Sequence, residues 1–302
     1  MKLASSILCC TLLGIGVGSA LASPITVSVT AHVTQLSDSA GALGGQIPVG
    51  QVVTGTYTYE TSTPNLRSTT EGWGQYQPSI PPASVSLTAG SLVFQSGRAS
   101  QITVDVGING LNPLAPAGVG MQIEVIGAQT LASGAFINVL DIDFSDPTGQ
   151  FPSSIALPTG APSLQSLANS EIRITGGIDG RNPGNWSLYA QIDSVQLVPP
   201  SIEVIPAAGD ILPQQHFDAA LLLSPGVQIT SMQASVGGNP LTLSYPGTCQ
   251  LMAPNSAGRP AILCPNANTV LPAAGGVTQI LWQVGLANGT RLSQTVQWTV
   301  TP

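Results

Sequence analysis

Lysine occurs once in this chain of 302 residues, at Lys2, and charged side chains of all kinds make up 7% of it. Seven basic residues stand against fourteen acids, for a formal net charge of −7. A surface so poor in cations excludes nucleic acid as a partner, because phosphates demand a basic face. It excludes an anionic membrane surface for the same reason. Histidine is scarce too: the two are His32 and His216. Two imidazoles cannot make a three-histidine zinc site. No G-x-S-x-G elbow and no H-E-x-x-H run is present, so the common hydrolase and metalloprotease signatures are missing. A Ser-His-Asp triad would have to recruit His32 or His216. His32 sits on a Thr-rich strand face and His216 heads "HFDAALLL", where a solvated, uncatalytic imidazole is the simpler reading.

One long apolar run is present, at the start: "MKLASSILCCTLLGIGVGSALA". A single Lys, an apolar stretch of leader length and the Ala20-Leu21-Ala22 triplet fit a secretory signal peptide, residues 1–22, cut after Ala22. The run is short for a membrane span and lacks stop-transfer charges. Cys9 and Cys10 lack the small residues that precede a lipoprotein cysteine, and both leave with the leader. Cys249 and Cys264 remain. An even count in an exported chain points to a disulfide, with two free buried thiols as the alternative. Closing a loop of about 15 residues is worth about 3 kcal/mol.

Period-2 alternation fills the rest. In "ITVSVTAHV", Ile25, Val27, Val29, Ala31 and Val33 share one face, and Thr26, Ser28, Thr30 and His32 the other. "VTGTYTYE" sets Val53, Tyr57 and Tyr59 against Thr54, Thr56 and Thr58. Further strands are expected over Ser84–Thr88, Ser91–Gln95, Gln101–Val106, Met121–Ile126, Phe136–Phe144, Glu171–Thr175 and Ser187–Val198. Only "SLQSLAN", Ser163–Asn169, suggests a turn or two of helix. "LVPPS", Leu197–Ser201, reads as a linker, because paired prolines cannot continue a ladder. After it come Ile202–Ile205, His216–Leu223, Gln228–Val236, Leu241–Ser244, Ala261–Cys264, Gln279–Leu286 and Arg291–Thr299. The expected fold is all-β: two consecutive antiparallel β-sandwiches, a jelly-roll-like one over 23–199 and an immunoglobulin-like one over 200–302. The Cys249–Cys264 spacing is too short for a bridge between sheets, so it reads as a staple across a long loop. The chain stops at Pro302, just after the last strand, and no C-terminal anchor is expected.

Three patterns carry any chemistry. In "DIDFSDPTG", Asp141 and Asp143 alternate with Ile142 and Phe144, so both carboxylates point one way in a strand. Asp146-Pro147 and Gly149 then form a turn. Calcium loops place their acids closer and interrupt them with glycine. A strand end is therefore the primary reading, and a weak calcium site on Asp141, Asp143 and Asp146 the alternative. A glycosidase needs two carboxyls at a set separation across a cleft, and scattered acids cannot establish one. The aromatics are the third pattern. "EGWGQYQ" places Trp73 and Tyr76 in a Gly- and Gln-rich loop, and "GRNPGNWSLY" places Trp186 and Tyr189 at a strand start. Exposed rings there would stack on sugars, while inward rings would plug the sandwich. Trp282 and Trp298 lie in strand patterns and read as core. Asn185 and Asn288 match the glycosylation sequon incidentally.

The run "ITVSVTAHVTQLSDSAGALGGQIPVGQVVTGTYTYETSTPN", with the later "DPTGQFPSSIALPTGAPSLQSL" and the Tyr76 region between them, resembles a family of secreted bacterial proteins, many of which carry a PEP-CTERM sorting tail. The resemblance covers 25–198. It implies a single β-sandwich without known enzymatic activity, exported by bacteria that make extracellular polysaccharide, and it carries over no catalytic residue. The tail's Pro-Glu-Pro motif, membrane span and basic cluster are missing from 200–302. There "FDAALLLSPGV" and "LANGTRLSQTVQWTV" resemble immunoglobulin-like modules of bacterial surface proteins.

The sequence thus leads to an exported, non-enzymatic structural or matrix-interaction protein, secreted or periplasmic. No cofactor is expected, nor membrane insertion after leader cleavage; the partners would be extracellular polysaccharide or envelope proteins. The alternative is a carbohydrate-binding module using Trp73, Tyr76 and Trp186. N-terminal sequencing of the exported protein should start at Ser23; a chain still starting at Met1 would contradict the leader.

Overall fold

Val, Ile and Leu alternate with Thr, Ser and Gln, so an extended strand turns one dry row inward and one polar row outward. The computed structural model describes residues 24–67, 72–107, 119–131, 133–145, 154–167, 170–178, 185–213, 217–225, 227–255, 259–270, 277–287 and 289–301. The leader, Asp146, His216 and Asn288 lie outside the described residues. Ten strands form the first sheet: β1 Pro24–Asp38, β2 Val52–Glu60, β3 Trp73–Tyr76, β4 Ser84–Ala89, β5 Leu92–Gln95, β6 Gln101–Gly107, β7 Val119–Ile126, β8 Phe136–Ser145, β9 Glu171–Gly177 and β10 Trp186–Val198. Their order is β3-β6-β7-β8-β9-β10-β1-β2-β4-β5, and every pairing is antiparallel.

The long β1 is the middle of this arrangement. It pairs with β10 from Thr26↔Val198 to Asp38↔Trp186, and with β2 on its other side. The sheet curls until its two halves face each other. Tyr57 on β2 packs on Phe144 of β8 at 6.0 Å between ring centroids, although three strands separate them in the sheet. Phe94 on β5 meets Trp186 on β10 at 6.2 Å. The sandwich is therefore one sheet folded over. Its core holds Val27, Val29, Ala31 and Val33 from β1 with Tyr57 and Tyr59 from β2, the faces that the alternation marks. The one helical element among the described residues of this part is a short 3-10 turn, Leu164–Ser166.

A second hydrophobic cluster gathers residues from Val204 to Trp298. Nine strands build it: β11 Ile202–Ile205, β12 Ile211–Pro213, β13 Ala219–Leu223, β14 Ile229–Val236, β15 Asn239–Tyr245, β16 Gln250–Met252, β17 Ala261–Cys264, β18 Val277–Leu286 and β19 Arg291–Thr301. They form a four-stranded sheet, β11-β13-β17-β16, and a five-stranded sheet, β12-β19-β18-β14-β15. All pairings are antiparallel except β12 with β19. Trp282 and Trp298 meet edge-on at 6.3 Å inside it, and the Trp298 indole donates to the Pro206 carbonyl at 3.1 Å.

Cys249 and Cys264 are bonded, fifteen residues apart. Cys264 ends β17 and Cys249 precedes β16, its hairpin partner, so the bridge staples a hairpin within one sheet. Both sulfur-bearing residues are buried in the second cluster. Replacing both by Ala should cost about 2–4 kcal/mol. Hydrogen exchange should then speed up in β16–β18 and stay unchanged in β1–β10; equal exchange throughout would contradict the staple.

Candidate functional site

The outward row of β8 carries Asp141 and Asp143, while Ile142 and Phe144 turn into the core. Register fixes their neighbours. Asp143 lies opposite Gln122 on β7 and Glu171 on β9, and Gln122 lies opposite Asp105 on β6. In the next row Asp141 lies between Glu124 and Arg173. The two aspartates expose 0% and 3% of their surface. The Arg173 guanidinium donates to Asp141 Oδ2 from Nε at 2.9 Å and from Nη2 at 2.5 Å. Asp141 Oδ1 and Asp143 Oδ1 are buried with no hydrogen-bond partner among the described residues.

One guanidinium thus serves several carboxyls. Burial raises the pKa of Asp141 despite the bonds from Arg173. Burial also raises that of Glu124, helped by the charge of Asp141. Asp143 is pushed from 3.8 up to about 7, first by burial, then by Asp141, with Glu171 adding and Arg173 and Gln122 opposing. Near neutral pH this carboxyl holds a proton for part of the time.

Asp141 Oδ2 is bonded to Arg173, and Asp146, the third acid of the calcium alternative, lies outside the described residues. Among the described residues no group of three or more His, Cys, Asp or Glu could hold a metal ion. The grooves near Tyr245, Pro82 and Pro200 are lined by other residues.

The aromatic reading needs a correction. Trp73, Tyr76 and Trp186 expose 4%, 5% and 1% of their surface. Trp73 and Tyr76 belong to strand β3, paired with β6, and not to a loop. The Tyr76 hydroxyl donates to the Ile155 carbonyl at 2.6 Å, and the Arg67 guanidinium covers the Trp73 ring at 4.6 Å. Trp186 lies across Gly176, where a β-carbon would come within 2.3 Å of the indole. Rings so enclosed offer no face to a sugar.

His32 Nδ1 hydrogen-bonds Asp193 at 2.8 and 3.0 Å. Asp193 is the unpaired residue of a bulge in β10, which brings it beside β1. Sequence reasoning missed this pair, because only the strand register brings the two residues together. Both side chains are nearly half exposed, at 43% and 46%, and among the described residues no hydroxyl bonds the other ring nitrogen. The arrangement is a surface pair without a nucleophile.

Comparison with known proteins adds little to this geometry. No protein-family model matches the chain, and no curated protein matches it. Among solved structures, a polysaccharide lyase aligns over 95% of this chain and 41% of its own, with 8% identity and a TM-score of 0.20. The N-terminal domain of the Streptococcus gordonii adhesin Sgo0707 aligns over 93% of this chain and 90% of its own, with 9% identity and a TM-score of 0.16. The chain spans less than half the length of that lyase. Superpositions this loose carry no statement about chemistry. No helix among the described residues is long and apolar enough to cross a membrane.

Two outcomes follow from the carboxylate rows. A carboxyl whose folded pKa lies above its unfolded one stabilises fully below the unfolded value, and that stability is lost as pH rises through the folded value. The protein should therefore be more stable at pH 5.5 than at pH 8. Asp143→Asn should remove part of that slope; for a pKa raised from 3.8 to about 7, linkage between pH 5.5 and 8 is limited to ~2 kcal/mol. Urea midpoints across this range check it; an identical slope in the variant would contradict it. Arg173→Met should cost about 3 kcal/mol at pH 7, because Asp141 is left buried and unpaired. The double variant Arg173→Met/Asp141→Leu should recover most of that loss, and no recovery would contradict the pairing.

Proposed function

We propose that this chain is an exported, non-enzymatic structural or matrix-interaction protein. One observation supports it above the rest. Among the described residues, Asp141, Asp143 and Arg173 lie together on one strand face, Arg259 pairs with Glu203, and His32 and Asp193 stand in solvent with no hydroxyl on the imidazole. General acid–base or nucleophilic catalysis needs its groups converging on a bound substrate. The disulfide agrees with folding in an oxidising compartment, the periplasm or the medium.

Purified protein lacking the leader should show no turnover on polysaccharide, ester or peptide substrates. A reproducible rate that disappears in Asp143→Asn or His32→Ala would overturn this reading.

A further inference from the structure

No Asp or Glu occurs after Asp218, so all fourteen acids lie in the earlier residues. β12 is Ile-Leu-Pro and the other four strands of the five-stranded sheet follow Asp218, so none of its strands carries an acid. Two arginines remain in this acid-free stretch, Arg259 and Arg291. Arg259 is neutralised by Glu203 at 2.8 Å. Arg291 is exposed, and no acid among the described residues pairs with it.

Arg291 stands at a groove of about 430 Å³, within the ~300–1,000 Å³ range of small-ligand clefts. Strand register builds it. Arg291, Gly285 and Ser231 form one row across β19, β18 and β14. Gln283, Gln233 and Ser244 form the next row across β18, β14 and β15. Tyr245 and Pro246 close one side. The groove is open because position 285 has no side chain; a β-carbon there would come within 2.5 Å of Ser231 Oγ. Gln233 is held in place, its amide donating to the Leu241 carbonyl at 2.7 Å. Among the described residues, the polar tips of Ser231, Ser244, Tyr245, Gln283 and Arg291 bond no other side chain.

We propose that this groove binds an acidic sugar of a polysaccharide, with the uronate carboxylate on Arg291. The ratio of groups favours that ligand. One guanidinium matches one carboxylate, bidentately, while three hydroxyls and a free amide match ring hydroxyls. An acidic peptide would bring its carboxylates without the ring hydroxyls that those groups match. The strands of this sheet bring no negative charge of their own to repel the ligand. The inference rests on the matrix-interaction reading above and names its partner.

Affinity electrophoresis of the leaderless protein in polygalacturonate gels tests it, with neutral dextran and poly-glutamate as parallel probes. Retention by polygalacturonate and not by dextran is expected. Arg291→Gln should weaken it about tenfold or more, and Gly285→Val, which fills the groove, should do the same with unchanged circular dichroism. No retention by polygalacturonate would overturn the proposal, as would full retention in Arg291→Gln. Equal binding of poly-glutamate would overturn it in favour of an acidic peptide. Cleavage of the retained polymer, lost in Arg291→Gln, would support the groove and overturn the non-enzymatic reading instead.

Discussion

Most strands of this protein turn one row of side chains into a dry layer and leave the other row facing out, and that one-sidedness governs where much else can sit. Apolar burial is worth about 25 cal/mol per Å², so Val27, Tyr57, Phe144 and Trp186 have no alternative but the interior. With so few charged residues in the chain, ion pairs contribute little cohesion. The two clusters and one hairpin disulfide supply it.

The outward rows differ between the two parts. On the first sheet, acids crowd around Arg173, and burial with mutual repulsion leaves Asp143 partly protonated near pH 7. With its carboxyl pKa raised, that row is expected to favour the folded chain as pH falls. On the five-stranded sheet the outward rows hold hydroxyls, amides and a lone guanidinium. Among the described residues, Ser231, Gln283 and Arg291 bond no other side chain there, which suits recognition of something outside the chain.

Much of the fold was legible because alternation is a local signal. β1 and β2 stand out from Val27–Val33 and Val53–Tyr59 alone. Trp73–Tyr76 was not legible, since its buried residues do not alternate and Gly74 weakens the strand signal. The three-residue strands Ile211–Pro213 and Gln250–Met252 are too short to show any period. The folding of ten strands into one sheet was equally hidden, because it depends on which strands become neighbours. The site followed the same division. That Asp141 and Asp143 share a face could be read directly. Arg173 lies 32 residues from Asp141 and 161 separate His32 from Asp193, so both pairs needed the register. The aromatic loops misled because sequence shows ring and context but not which way the ring turns.

Acrylamide quenching of tryptophan fluorescence tests the central claim most directly, namely that the tryptophans here supply cohesion and none is displayed for stacking on a ligand. All four indoles lie inside, at 4% exposure or less. The native protein should show blue-shifted emission and weak quenching for every tryptophan, unchanged by added polysaccharide. Strong quenching of one or two indoles, relieved by polysaccharide, would contradict the account.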